Sequence, residues 1–97
     1  MIPKEGRPIH PGEIIQDTYL GPYKLTRQQL ADAIGITPVS INEILLGEKS
    51  ITPDMAFRLA KFFNTSADFW IALQMHVDMW DTLQTNKDEY ENIVGVA

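Results

Sequence analysis

Residues 25–47 read LTRQQLADAIGITPVSINEILLG, and this stretch decides the fold. It divides into two short helices, each opening on its own start signal. Thr26 and Gln29 have the S/T-x-x-E/Q spacing of a capping box, with Leu25 and Leu30 placed for a hydrophobic staple. Gly35 ends the first helix, because a residue without a Cβ takes the left-handed conformation of a C-terminal cap at no steric cost. Thr37 then caps a second helix, Pro38 suits its first position, and Ile36 with Ile41 repeats the staple. Two capped helices of about nine residues, joined by a tight glycine turn, form a helix-turn-helix signature over about residues 26–46. The pattern points to DNA.

Outward from this motif the chain reads as helices alone. His10-Pro11-Gly12 opens a first helix from about Pro11 to Leu20, and Gly21-Pro22 stops it. Thr52 caps a fourth helix with Pro53 at its first position and Asp54 near the positive end of the dipole. Met55, Ala56, Leu59, Phe62 and Phe63 share one stripe of it. Ser66 caps a fifth helix expected to run to about Gln84, with a short extra helix around Asp88 to Ile93 in the tail. There is no strand alternation and no repeat. The expectation is an all-α, five-helix, single domain over residues 1–97.

The fifth helix is apolar on two sides. Phe69, Trp70, Leu73, Val77 and Trp80 fall in one sector, and Ile71, Met75 and Met79, with Leu83 at the margin, in a second. A helix apolar nearly all round is central or covered by a partner. A homodimer or partner interface is therefore expected from Ile71, Met75, Met79, Trp80 and Leu83, in a dimerisation and tail region over about residues 66–97, together with Phe57 of the fourth helix. Packing of Trp80 and the Met residues under the C-terminal tail is the plainer alternative.

Composition restricts the chemistry. The chain has 97 residues, 44% of them hydrophobic, and no cysteine, so neither a disulfide framework nor a thiolate metal site is available. Its opening lacks the apolar run of a signal peptide and no segment has the length of a membrane span, which gives a cytoplasmic expectation. Net charge is −5, the wrong sign for a DNA-binding domain, but it is unevenly placed. Residues 1–19 carry −1, residues 20–61 carry +1, and residues 62–97 carry −5, so the acidity follows the motif. His10 and His76 are far apart and belong to no ligand pattern, and Glu13 and Asp17, one turn apart, carry no mark of a catalytic pair. No nucleophile motif or phosphate loop is present. The chain is expected to be no enzyme and to need no metal or cofactor.

In a helix-turn-helix the second helix enters the major groove and the start of the first touches the DNA backbone. Ile41, Ile44 and Leu45 define the buried side of the second helix, which leaves Val39, Glu43 and Leu46 opposite, Ser40 and Asn42 on the flanks, and Thr37 and Pro38 at the approaching end. Asn42 and Ser40 can bond to bases, Val39 can meet a thymine methyl, and Glu43 can accept from cytosine N4. Arg27 is the best phosphate contact, with Gln28 beside it and Lys49 beyond the second helix.

These residues carry a resemblance. LTRQQLADAIGITPVSINEILLG resembles the Xre/Cro-type helix-turn-helix of lambda-repressor-like domains. HPGEII, LTRQQLADAIG and ITPDMAFRLAKFFNTSADFWIALQ together are similar to the HigA antitoxins, also called the VapI family, over about Ile9 to Leu83. The resemblance implies a five-helix domain that dimerises, binds the operator of its own toxin–antitoxin operon as double-stranded DNA, and represses it. It also implies a partner, a HigB toxin of the RelE-like kind, which is a ribosome-dependent mRNA endonuclease. By position, Arg27 takes the backbone-contacting place, and Thr37, Pro38, Val39, Ser40 and Glu43 face DNA. The chain departs from its relatives at Pro38, where Arg or another polar residue is common, and at Leu46, which replaces a polar residue before Gly47. Two other functions compete: a stand-alone Xre-type repressor, and a protein-interaction module that has lost DNA binding.

Overall fold

The computed structural model describes residues 6–96. Among them are five helices and no strand, as expected: α1 begins as Pro11–Ile14 and continues as a widened π-helical segment Ile15–Leu20, followed by α2 Arg27–Ile34, α3 Pro38–Leu45, α4 Pro53–Phe63 and α5 Ala67–Glu91. Each start signal read from the sequence forms its bond. The hydroxyls of Thr26, Thr37, Thr52 and Ser66 accept the backbone N–H three residues on, of Gln29, Ser40, Met55 and Phe69. His10 caps α1 in the same sense, its Nδ1 accepting the Gly12 N–H at 2.9 Å.

Two features of the helices differ from expectation. The last part of α1 closes bonds to the fifth residue back, as in Gly21 N–H to Gln16 O at 3.0 Å. This widened winding turns Ile15 and Leu20, five apart, to the core together. The second difference is the length of α5. It does not end near Gln84 but passes through a kink at Asn86 (φ −114°, ψ 17°) to Glu91, so the separate tail helix is the end of α5 itself. No Gly or Pro lies between Ala67 and Val94, so neither of the two strongest helix breakers interrupts α5. At the kink, Thr85 Oγ1 donates to the Asp81 carbonyl at 3.0 Å.

The core lies where α2, α3 and α4 meet α5 and α1. Ile15, Leu30, Ile41, Ile44, Leu59 and Trp70 are fully buried in it. Trp70 anchors α5, its ring tilted against Phe63 and Tyr19 while its Nε1–H donates to Thr65 Oγ1 at 2.7 Å. Gln74 is buried beside it; its Oε1 accepts the Ile51 N–H at 2.9 Å and its Nε2 donates to Asp78 at 2.9 Å. Gln74 thus pins the α3–α4 loop to α5, since an N–H buried without a partner would cost about 1–3 kcal/mol.

Candidate nucleic-acid interface

The motif is built from caps upward. Thr26 and Gln29 close the capping box in both directions, at 3.0 and 2.9 Å, which fixes the start of α2. Gly35, at φ +76°, turns the chain out of α2. Arg58, on α4, reaches under this turn, its Nη1 donating to the Ile34 carbonyl at 2.6 Å and its Nε to Asp54 at 2.9 Å. A cation on the last carbonyls of α2 meets the negative end of that helix. Arg58 therefore braces the turn between the two helices of the motif.

α3 is held at both ends. Thr37 Oγ1 accepts the Ser40 N–H and donates to Ser40 Oγ, each at 3.1 Å, so both hydroxyls are engaged at its N-terminus. At its C-terminus α1 docks tightly: a Cβ built on Gly12 would lie 2.6 Å from the Ile44 carbonyl oxygen and 2.7 Å from that of Leu45. α3 buries Ile41 and Ile44, leaving Val39 and Leu46 exposed by 66% and 67%. Pro38, Ser40, Asn42 and Glu43 are half-buried.

Of the residues singled out for DNA, Thr37, Pro38, Val39, Ser40, Asn42 and Glu43 lie on α3 and its cap, Arg27 and Gln28 in the first turn of α2, and Lys49 in the loop past α3. Asn42 and Arg27 meet, Arg27 Nη1 donating to Asn42 Oδ1 at 2.7 Å. Gln28 donates to Asp32 at 2.9 Å along α2, which ties its amide to its own helix. Lys49 is exposed just past α3. The bracing residues Arg58, Gly12 and Gln74 have no motif signal in the sequence; each acts across the fold, on a group at least 20 positions away.

The comparisons agree with this architecture. The family described as Helix-turn-helix (HTH_3) matches residues 19–70, more than half of the chain. Among solved structures, the Pseudomonas aeruginosa antitoxin HigA with higBA promoter superposes with a TM-score of 0.89 at 34% identity, covering 94% of this chain and 100% of that one. An addiction module antidote protein of a HigA family from Coxiella burnetii gives 0.86 at 40% identity, covering 94% and 99%. The chain belongs to the HigA family of helix-turn-helix proteins. The Escherichia coli K12 protein described as the uncharacterized HTH-type transcriptional regulator YbaQ is 35% identical over 85 residues, 88% of this chain and 75% of that one. The HigA family is one of DNA-binding regulators rather than enzymes.

The match to HigA structures extends beyond the motif and takes in α5. Here Met75, Met79, Trp80 and Leu83 line one open groove of about 670 Å³ with Pro8 and Tyr90. The segment before α1 forms one wall, held by Arg7, whose Nε and Nη2 donate to the two carboxylate oxygens of Asp81 at 3.0 Å each. The other two residues expected in a dimer contact lie elsewhere. Ile71 packs against the core, and Phe57 stands exposed on α4 over a separate hollow with Ala33, Arg58 and Lys61. No cluster of His, Asp and Glu able to hold a metal occurs among the described residues, and no helix is long and apolar enough to cross a membrane.

Proposed function

We propose that this chain is a cytoplasmic antitoxin of a toxin–antitoxin pair. As a homodimer it binds operator DNA of its own operon through α3, represses that operon, and neutralises a RelE-like mRNA endonuclease toxin of the HigB kind. The observation that carries this reading is the likeness to HigA structures along almost the whole chain, α5 included, since a bare helix-turn-helix would match only its central part. In this reading Thr37, Pro38, Val39, Ser40, Asn42 and Glu43 face the bases, while Arg27, Gln28 and Lys49 face the phosphates.

The test is fluorescence anisotropy of a labelled duplex from the chain's own promoter, beside a scrambled duplex, at several salt concentrations. With Arg27 and Lys49 on each protomer, a dimer meets about four phosphates, so log affinity should fall against log salt with a slope of about −3.6. Tight binding to the promoter alone, weakening on that slope, supports the repressor. Equal or absent binding to both duplexes favours the interaction module, the reading suggested by the acidic total and the exposed apolar Leu46. Co-purification with the product of a toxin-like neighbouring gene separates the antitoxin from a stand-alone regulator.

A further inference from the structure

The bond between Arg27 and Asn42 fixes more than two side chains. Arginine has five N–H donors and no acceptor, so the amide atom 2.7 Å from Arg27 Nη1 is necessarily the oxygen of Asn42. Its Nδ2 is then turned away from Arg27, and among the described residues it donates to no protein group. Asn42 lies three residues from the exposed Val39, on the flank of α3 that Ile41 and Ile44 leave open.

We infer that Arg27 sets the specificity of the DNA face by holding Asn42 as a pure hydrogen-bond donor. This rests on the reading of α3 as the helix that enters the major groove. A free asparagine offers donor and acceptor together and pairs bidentately with adenine N6 and N7. With its oxygen taken by Arg27, Asn42 offers only N–H. It therefore suits an acceptor edge, such as O6 or N7 of guanine or O4 of thymine, and rejects cytosine, which presents only its N4 amino group there. Arg27 acts on the base as a positioning residue while its remaining donors stay available to phosphate.

The decisive variant is Asn42→Asp. It keeps an oxygen for Arg27 and replaces the outward donor with an acceptor, so the polarity of the contact reverses while the pair survives. Promoter duplexes carrying each base in turn at each position are ranked by anisotropy at one salt concentration. The ranking, rather than absolute affinity, is read because the added charge weakens all sequences alike. The expected result is one position where the wild type disfavours cytosine by on the order of tenfold and Asn42→Asp favours it. Arg27→Ala should release the amide, lowering affinity everywhere and shifting the preference at that position toward adenine. An unchanged ranking in Asn42→Asp, with the wild type still separating promoter from scrambled DNA, overturns the inference alone. Failure of the wild type to separate them overturns the DNA reading and the inference with it. Circular dichroism melts of the variants confirm that each remains folded.

Discussion

Gly12 is the one position in α1 where no side chain fits. A Cβ there would press on two backbone carbonyls and on the Cα of Leu45, none of which can swing aside as a flexible side chain can. Relief would require α1 to lift from the end of α3, the helix that carries the proposed base-reading residues. Overpacking of this kind costs about 1–3 kcal/mol. In a chain of this size each kcal/mol lowers the melting temperature by about 4–8 °C. Gly12→Ala should therefore lower Tm by several degrees or more in a calorimetric scan, and operator binding should weaken with it. Gly95, with nothing near it, serves as the control, and Gly95→Ala should leave Tm unchanged.

At the scale of the element, α1 is also where pH enters. His10 is buried, and its Nδ1 must be unprotonated to accept the Gly12 N–H. Burial lowers its pKa below the ordinary imidazole value of about 6.5, and the Arg7 charge adds to that; Glu13, Asp78 and Asp81 act in the opposite direction. The unfolded chain thus takes up the proton first. The stabilisation due to the neutral cap is complete above about pH 6.5 and is lost as pH falls through the lowered value. His10→Asn keeps a capping oxygen without a titrating group, so Tm should fall more steeply for the wild type than for this variant between about pH 6.5 and 5. Parallel curves would place the acid sensitivity elsewhere.

The elements also show what could be read from the sequence. Caps are local, a hydroxyl and an N–H three residues apart, so Thr26, Thr37, Thr52 and Ser66 marked four helix starts from sequence alone. The helix ends were harder. Gly35 was legible as the end of α2, but α5 runs past Gln84 because the polar stretch after it contains no residue that stops a helix. The widened part of α1 had a faint signal in the five-residue spacing of Ile14 with Tyr19 and Ile15 with Leu20, which a search for a 3.6-residue period passes over. Within the candidate site periodicity separated the buried Ile41 and Ile44 from the exposed Val39 and Leu46, while Glu43, expected opposite the core, is half-buried. The Arg27–Asn42 bond, the Arg58 brace and the Gly12 contact did not follow from periodicity, because each joins residues from different helices whose approach only the packed fold determines.

At the scale of the molecule, the chain is longer than a compact domain of its size, as the proposed homodimer would require. The radius of gyration is 15.8 Å and the extents are 52 × 26 × 21 Å, whereas a compact chain of this length would have a radius of about 12.5 Å. The excess comes from α5, whose 25 residues span about 37 Å. Its far half leaves Met79 63% exposed and Leu83 and Tyr90 uncovered. In the proposed homodimer this face would be buried against its symmetry mate. Met79→Asp combined with Leu83→Asp should then convert a species of about twice 11.0 kDa into one of 11.0 kDa by light scattering, with the helical spectrum retained because neither side chain reaches the core. The charge on α5 adds a second expectation of opposite sign to DNA binding. Residues 62–97 carry a net charge of −5, with Asp78, Asp88, Glu89 and Glu91 exposed on α5, so pairing two copies through α5 brings like charges nearer. Screening by salt relieves that repulsion. Raising the salt should tighten the dimer while loosening the protein from its operator, and a dimer that instead weakened with salt would place the contact away from α5.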